Sequence, residues 1–180
     1  MKKSTCILAS VLFLAVLIPA CTKQSVQVFY DNQEKTIEKF VEAHKDWTPT
    51  YNKGSVRLTV AEGTSEETLS KGGVVSFYYA GYILSGTSVS ASNMFATNDR
   101  TVAEAASWTI ADESIFEVET VELGTDRLLV GLENGLEGVR AGEECYILFS
   151  GKYAYGKKVA GTIPSKSALV YHIKVESITN

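Results

Sequence analysis

Most of the side chains that do covalent chemistry stand alone in this 180-residue chain. His44 and His172 have no ligand-spaced partners, so both read as structural or exposed rather than metal-binding. Glu143-Glu144 and the Glu117/Glu119 pair are strand-edge charges, better explained as solvated than as a catalytic carboxylate pair. No Ser-His-acid set and no phosphate-cradling glycine loop stands out. Cys145 falls in an apolar strand and reads as a buried structural thiol. Denser information lies between Val121 and Ile178. Gly131-Leu132-Glu133-Asn134-Gly135-Leu136 is followed by Val139-Arg140-Ala141-Gly142. Further on come Tyr153-Ala154-Tyr155-Gly156, Gly161-Thr162-Ile163-Pro164 and the apolar run Ala168 to Glu176. Such motifs supply hydroxyl donors and apolar walls, the materials of a binding pocket.

The elements that must position these groups follow from periodicity. Val56 to Val60 reads as a strand, ended by the turn at Glu62-Gly63-Thr64. Lys71-Gly72-Gly73 leads into a second strand, Val74 to Leu84, with Phe77, Tyr79, Gly81 and Ile83 on one face and Tyr78 and Tyr82 on the other. Phe116 to Leu123 alternates as a half-buried strand, broken by Gly124. Asp126 is placed to cap a short helix whose apolar stripe is Leu128, Leu129, Leu132 and Leu136. Cys145, Ile147 and Phe149 share one strand face, and Ala168 to Ile178, rich in β-branched and aromatic residues, is the last strand. Upstream, Asp31 with Glu34 fits a capping box, and Ile37, Phe40, Val41 and His44 recur at helical spacing. Asp31 to Trp47 is therefore expected as an amphipathic helix packed on the domain. Thr22 to Phe29 is expected as a tether, and Thr48 to Gly54 as a loop.

In order and spacing, the C-terminal motifs resemble the FKBP-type peptidyl-prolyl isomerases. The Tyr79-Ala80-Gly81-Tyr82 strand, followed by Gly86, extends the likeness to roughly Val56 to Ile178. The resemblance implies an α+β fold: an antiparallel twisted sheet wrapped around a short helix, here with an extra N-terminal helix. It implies domain limits of 21–54 for tether and helix and 55–180 for the FKBP-like unit. Ser85 to Ile115 is longer than the family's corresponding loop by about twenty residues, a length at which loops carry function or structure of their own. Val102 to Trp108 is the helix expected inside it.

The activity so implied breaks no covalent bond. Rotation about an X-Pro amide is opposed by resonance worth about 18–20 kcal/mol, and a catalyst needs to favour the twisted amide. An apolar pocket removes the water that stabilises the planar, dipolar form, and donors placed for the rotated carbonyl add differential binding. No metal or cofactor is needed. By resemblance, Tyr79 and Tyr171 line the pocket walls. Leu128 and Leu129 stand just before the helix, Leu129 as an apolar wall. Tyr155 offers its hydroxyl to a substrate carbonyl, and Ile163 offers a backbone N–H and a side-chain wall. Phe95 is the nearest match to the aromatic of the family's aromatic-Asp pair, with Ala96 where the aspartate belongs; the other register, Val89-Ser90, lacks the acid too. Leu132 replaces the pocket-floor tryptophan, and the loop tip Lys157-Lys158-Val159-Ala160 is short and basic. Trp108 has two readings, as a cover for the pocket or as an anchor of the insertion on the core.

The N-terminus reads as a signal. Lys2 and Lys3 precede an apolar run, Ile7 to Ala20, that is short for a bilayer span. Leu17-Ile18-Pro19-Ala20-Cys21 resembles a bacterial lipobox, which implies acylation of Cys21 after removal of residues 1–20. Several acyl chains give stable anchoring where one is marginal. The expected location is the cell envelope, on the outer membrane in preference to the inner. Cleavage leaves 160 residues, one domain, and moves the formal charge from −4 to −6. That balance, without a basic cluster, argues against nucleic acid. With Cys6 removed and Cys21 acylated, Cys145 has no disulfide partner. Three functions stay open. One is an envelope isomerase or folding helper of low activity, acting on proline-containing peptides or exported proteins. Another is a non-catalytic lipoprotein module that holds a peptide or partner. The third is a structural lipoprotein in a surface complex.

Overall fold

The computed structural model describes residues 18–108 and 112–180. The expected leader, residues 1–17 at least, and the side chain of Cys21 lie outside the described residues. The chain is α+β, as the resemblance implies. A long helix α1 (Ile18–Ala43) is followed by β1 (Thr48–Asn52), β2 (Ser55–Ala61) and β3 (Val74–Ile83). Next come β4 (Met94–Thr97), α2 (Arg100–Ala105), β5 (Glu119–Glu122), α3 (Val130–Leu136), β6 (Glu144–Phe149) and β7 (Leu169–Thr179). The strands form one antiparallel sheet in the order β1-β2-β6-β7-β3-β4, with β5 pairing β3 beside β4.

Several boundaries differ from those expected. The segment Thr22–Phe29 is helical, so α1 starts well before Asp31, and it ends at Ala43 rather than Trp47. Residues 48–52 form a strand instead of a loop. Lys53 (φ 47°) and Gly54 (φ 89°) are both left-handed, the backbone of a two-residue type I′ hairpin turn that folds β1 onto β2. Thr48–Asn52 is mostly exposed and holds Pro49, so it carries no apolar pattern; its strand state comes from pairing. The strand before Gly124 is only Glu119–Glu122, preceded by a 3-10 turn at Glu113–Phe116. The helix in the insertion spans Arg100–Ala105, capped by Asp99, which accepts from the Thr101 and Val102 amides.

Alternation divides the sheet into two apolar faces. One face gathers Phe77, Cys145, Ile147, Phe149, Leu169, Tyr171 and Ile173 with Leu132 and Leu136 of α3. The other gathers Val56, Leu58, Ala80, Tyr82, Leu148 and Val170 with Ile37 and Phe40 of α1. The helix α3 lies unusually close to β6. A Cβ on Gly131 would stand 2.2 Å from the Phe149 ring, and one on Gly135 2.1 Å from Ile147. Only glycine at these two positions, one helical turn apart, allows that approach. The far end of α3 is closed by Arg57 of β2, whose guanidinium donates to the carbonyls of Gly135 (3.1 Å), Glu137 (2.9 Å) and Gly138 (3.3 Å). These are the carbonyls a helix C-terminus leaves without partners. Glu143, itself buried, stands 3.1 Å from Arg57 Nε and accepts from Thr59 and the Arg140 amide.

Candidate functional site

A cleft of about 510 Å³ opens on the α3 face of the sheet. β3 delivers Phe77 and Tyr79 to it, β7 delivers Tyr171, and β4 delivers Phe95 and Ala96. Leu128 and Leu129 line it from the approach to α3, and Leu132 from α3 itself. Tyr155 and Ile163 come from the long connection between β6 and β7. Every side chain assigned to the site from the sequence thus meets in one place: Tyr79, Tyr155, Ile163, Phe95, Leu128, Leu129, Leu132 and Tyr171.

Local sequence explains the placement. Gly81 is opposite Ala96 in the β3–β4 ladder. A Cβ there would be 2.6 Å from the Phe95 ring, so the glycine admits that ring onto the strand. Phe95 then meets Tyr171 edge-on, with centroids 5.8 Å apart at 78°. Tyr171 stacks on Phe149 at 6.0 Å and 13° and stands 6.0 Å from Tyr79. Leu132 is only 6% exposed, and Ile163 only 4%. Sequence reasoning gave no role to Asn98, which is buried just past β4. Its Oδ1 accepts from the Tyr79 amide at 2.6 Å, and its Nδ2 donates to the carbonyls of Phe77 and Glu117. It therefore fixes the backbone on either side of Tyr79. A polar residue directly after an apolar strand was the only signal available.

The electrostatics favour neutral donors. Burial raises the Tyr79 hydroxyl above its usual pKa, with the Glu119 carboxylate and the Tyr155 hydroxyl adding to the effect. Burial raises Tyr171 further, again with Tyr155 and Tyr79 close by. Among the described residues, the hydroxyls of Tyr79, Tyr155 and Tyr171 have no hydrogen-bond partner. All three residues line the cleft, and burial keeps Tyr79 and Tyr171 protonated as donors.

Two expected roles change. The Ile163 N–H is committed to the Ala160 carbonyl at 2.9 Å, in a bridge returned by Ala160 to Ile163 at 3.1 Å. Ile163 offers the cleft its side chain and not its amide. A backbone donor beside the cleft is instead the N–H of Leu129, the N-cap position of α3, which makes no bond among the described residues. Asp126 does not cap α3: its carboxylate accepts from the Glu122 amide at 2.7 Å, and no side chain caps the helix. Trp108 packs with the cluster on the opposite face of the sheet and does not cover the cleft. Arg127 and Glu119 line the cleft as its charged residues. Ala96 lines it too, and supplies no carboxylate.

A family model for FKBP-type peptidyl-prolyl cis-trans isomerases matches residues 65–176. The chain belongs to this family. The FKBP match covers the cleft and its sheet but begins after β2, leaving α1 and β1 outside. Three solved FKBP structures resemble the chain. The three FKBP domains of wheat FKBP73 align over 74% of this chain and 51% of that one, with TM-score 0.58 and 18% identity. The N-terminal domain of FKBP42 from Arabidopsis thaliana aligns over 74% and 93%, with TM-score 0.55 and 17% identity. FkpA from Escherichia coli aligns over 89% and 65%, with TM-score 0.57 and 18% identity. The chain thus spans about half the length of the wheat structure. At these identities the likeness concerns the FKBP fold alone. No curated protein sequence matches the chain.

Proposed function

We propose that the cleft binds proline-containing segments of exported proteins and turns over their X-Pro bonds slowly. The carrying observation is one cleft lined by Leu132 together with Tyr155, Tyr79, Tyr171 and Leu129, whose hydroxyls and, for Leu129, backbone N–H have no partner among the described residues. A proline ring lowered onto Leu132 leaves water behind, which disfavours the planar dipolar amide relative to the twisted one. The Leu129 N–H and the Tyr155 hydroxyl then stand ready for the peptide carbonyls on either side of the ring. A donor whose bond shortens only in the twisted geometry lowers the barrier; one satisfied equally in both states only tightens binding.

Two features argue for slow turnover. Ala96 leaves no carboxylate beside Phe95 to orient the donors; the carboxylate that lines the cleft is that of Glu119. Leu132 offers a small, flexible floor where a flat ring would enclose the proline on one whole side. The same two features support the second reading, a module that holds a peptide without isomerising it. The deciding experiment follows cis-trans exchange of the tetrapeptide Ala-Leu-Pro-Phe by NMR in the presence of the full mature chain. Weak binding with slow but measurable exchange supports the isomerase reading; binding without exchange supports the holding module; no binding refutes the isomerase reading and leaves a partner-holding module standing. Ala96→Asp combined with Leu132→Trp is expected to raise exchange.

The N-terminal pattern Leu17 to Cys21 supports anchoring of this domain to an envelope membrane through acyl chains on Cys21. Among the described residues no helix is long and apolar enough to cross a membrane. Mass spectrometry of the mature N-terminus tests the anchor: acylated Cys21 is expected, and an intact leader or a free thiol there would refute it. Cys21→Ser is expected to release the protein from membranes.

A further inference from the structure

We propose that Gln33, on the N-terminal helix, is a positioning residue for the cleft: its side-chain amide clamps together the two limbs of the loop that carries Tyr155 and Ile163. The inference rests on the binding role proposed for that cleft. The last backbone rung between β6 and β7 joins Phe149 to Leu169. Beyond it the chain leaves the sheet through Gly151 and returns through Lys166. The Gly151 N–H donates to Gln33 Oε1 at 2.9 Å, and Gln33 Nε2 donates to the Lys166 carbonyl at 2.6 Å. One carboxamide thus satisfies a donor on the outgoing limb and an acceptor on the returning limb. It does what a peptide group does in a ladder, supplied from residues 118 and 133 positions away.

The surrounding geometry is built around this clamp. A Cβ on Gly151 would lie 2.3 Å from the Lys166 carbonyl oxygen, so the limbs approach as closely as they do only with glycine there. Lys166 is held left-handed, at φ 64°, a conformation uncommon for a residue with a side chain. Its ammonium lies 5.2 Å from the centre of the Phe29 ring, one turn before Gln33 on the same helix face. Inside the loop, the Gly156 N–H donates to the Gly151 carbonyl at 2.9 Å, and the Lys166 N–H to the Gly156 carbonyl at 2.5 Å. Tyr155 is therefore one residue from a hydrogen-bonded chain that ends at both contacts of Gln33. Neither leucine nor glutamate can replace the amide, because leucine offers neither bond and glutamate lacks the donor. Because α1 lies outside the family match, the clamp couples to the cleft an element beyond the matched residues.

The test uses the full mature chain with Gln33→Leu, Gln33→Glu and a control, Val75→Ala, whose fully buried side chain does not line the cleft. Three readouts are taken: Kd for Ala-Leu-Pro-Phe, hydrogen exchange at the Gly156 amide, and Tm. Gln33→Leu is expected to weaken the tetrapeptide about tenfold, the loss of roughly one to two hydrogen bonds' worth of ordering, and to speed exchange at Gly156. Gln33→Glu keeps the bond from Gly151 and should fall between. Val75→Ala should lower Tm and change neither of the other readouts. Unchanged affinity in Gln33→Leu overturns the proposal, and so does weakened affinity without faster exchange, since the loop is then not what Gln33 holds. If the wild-type chain binds no tetrapeptide, the binding role falls, and the clamp is judged on Gly156 exchange alone.

Discussion

The two faces of one sheet are both apolar but differently finished. On the outer face, Ile37, Phe40 and Val41, near the C-terminal end of α1, pack on the strands. Phe40 stacks on His44 at 4.4 Å, His44 on Trp47 at 4.1 Å, Trp47 on Tyr146 at 5.1 Å, and Tyr146 on His172 at 4.5 Å. Ring nitrogens of both histidines are committed, Nδ1 of His44 with the Phe40 carbonyl at 2.8 Å and Nε2 of His172 with Glu144 at 2.7 Å. On the inner face, α3 is only seven residues long, about 10 Å of cover at 1.5 Å per residue. Beside it lies the cleft, where among the described residues three tyrosine hydroxyls find no partner. Stacked rings close the outer face, while the inner face carries both the larger buried cluster and the cleft beside α3.

If that contrast holds, substitutions on the two faces should separate stability from binding. The largest effect belongs to Leu58→Ala, a fully buried side chain in the outer cluster. It should cost about 2–5 kcal/mol in urea unfolding while leaving tetrapeptide affinity in place. Lost affinity at this site would break the separation. Gly135→Ala should cost about 1–3 kcal/mol, because the added methyl meets Ile147 and pushes α3 off the sheet. Since α3 carries the cleft floor, this variant should lose affinity as well as stability, as paired titration and unfolding curves would show.

Tyr155→Phe should do the reverse of Leu58→Ala. Removing an unpartnered hydroxyl should leave unfolding unchanged and cost on the order of 1 kcal/mol in peptide affinity or transition-state binding. An unchanged Kd and exchange rate would remove Tyr155 from the site. The smallest effect is a pH slope from the outer face. Burial holds the His172 imidazole below its ordinary pKa of 6.5, only partly offset by its bond to Glu144. The unfolded chain therefore takes up this proton at higher pH than the folded one, and stability should fall as pH drops below about 6.5. His172→Gln should flatten that slope, measured as Tm between about pH 7 and pH 5, and peptide affinity should not follow it.

The strand faces and the membership of the cleft were legible in the sequence because both rest on alternation and on a fixed order of motifs. Phe77, Tyr79 and Tyr171 had to share a face, and Tyr155 and Ile163 had to return to it. What was not legible depends on partners distant in sequence. Thr48–Asn52 becomes a strand through a Lys53-Gly54 turn and pairing with β2, not through any pattern of its own. The Ile163 amide is lost to Ala160, a local bond that a motif does not reveal. Asp126 satisfied the spacing of a cap but turns back to Glu122. Trp108 lies on the far side of the sheet because the insertion that carries it wraps that way.

Pro49 has a consequence for the protein as one molecule among many copies. The strand that carries it forms an outer margin of the sheet, where unpaired backbone groups could template another chain. Proline is tolerated in a sheet at such a margin because its nitrogen has no hydrogen to contribute. The row of donors on that border is therefore interrupted, and a second copy arriving alongside finds no continuous ladder to extend. Crowded copies of this domain are discouraged from zipping edge to edge by a single imino acid rather than by any cover placed over the edge.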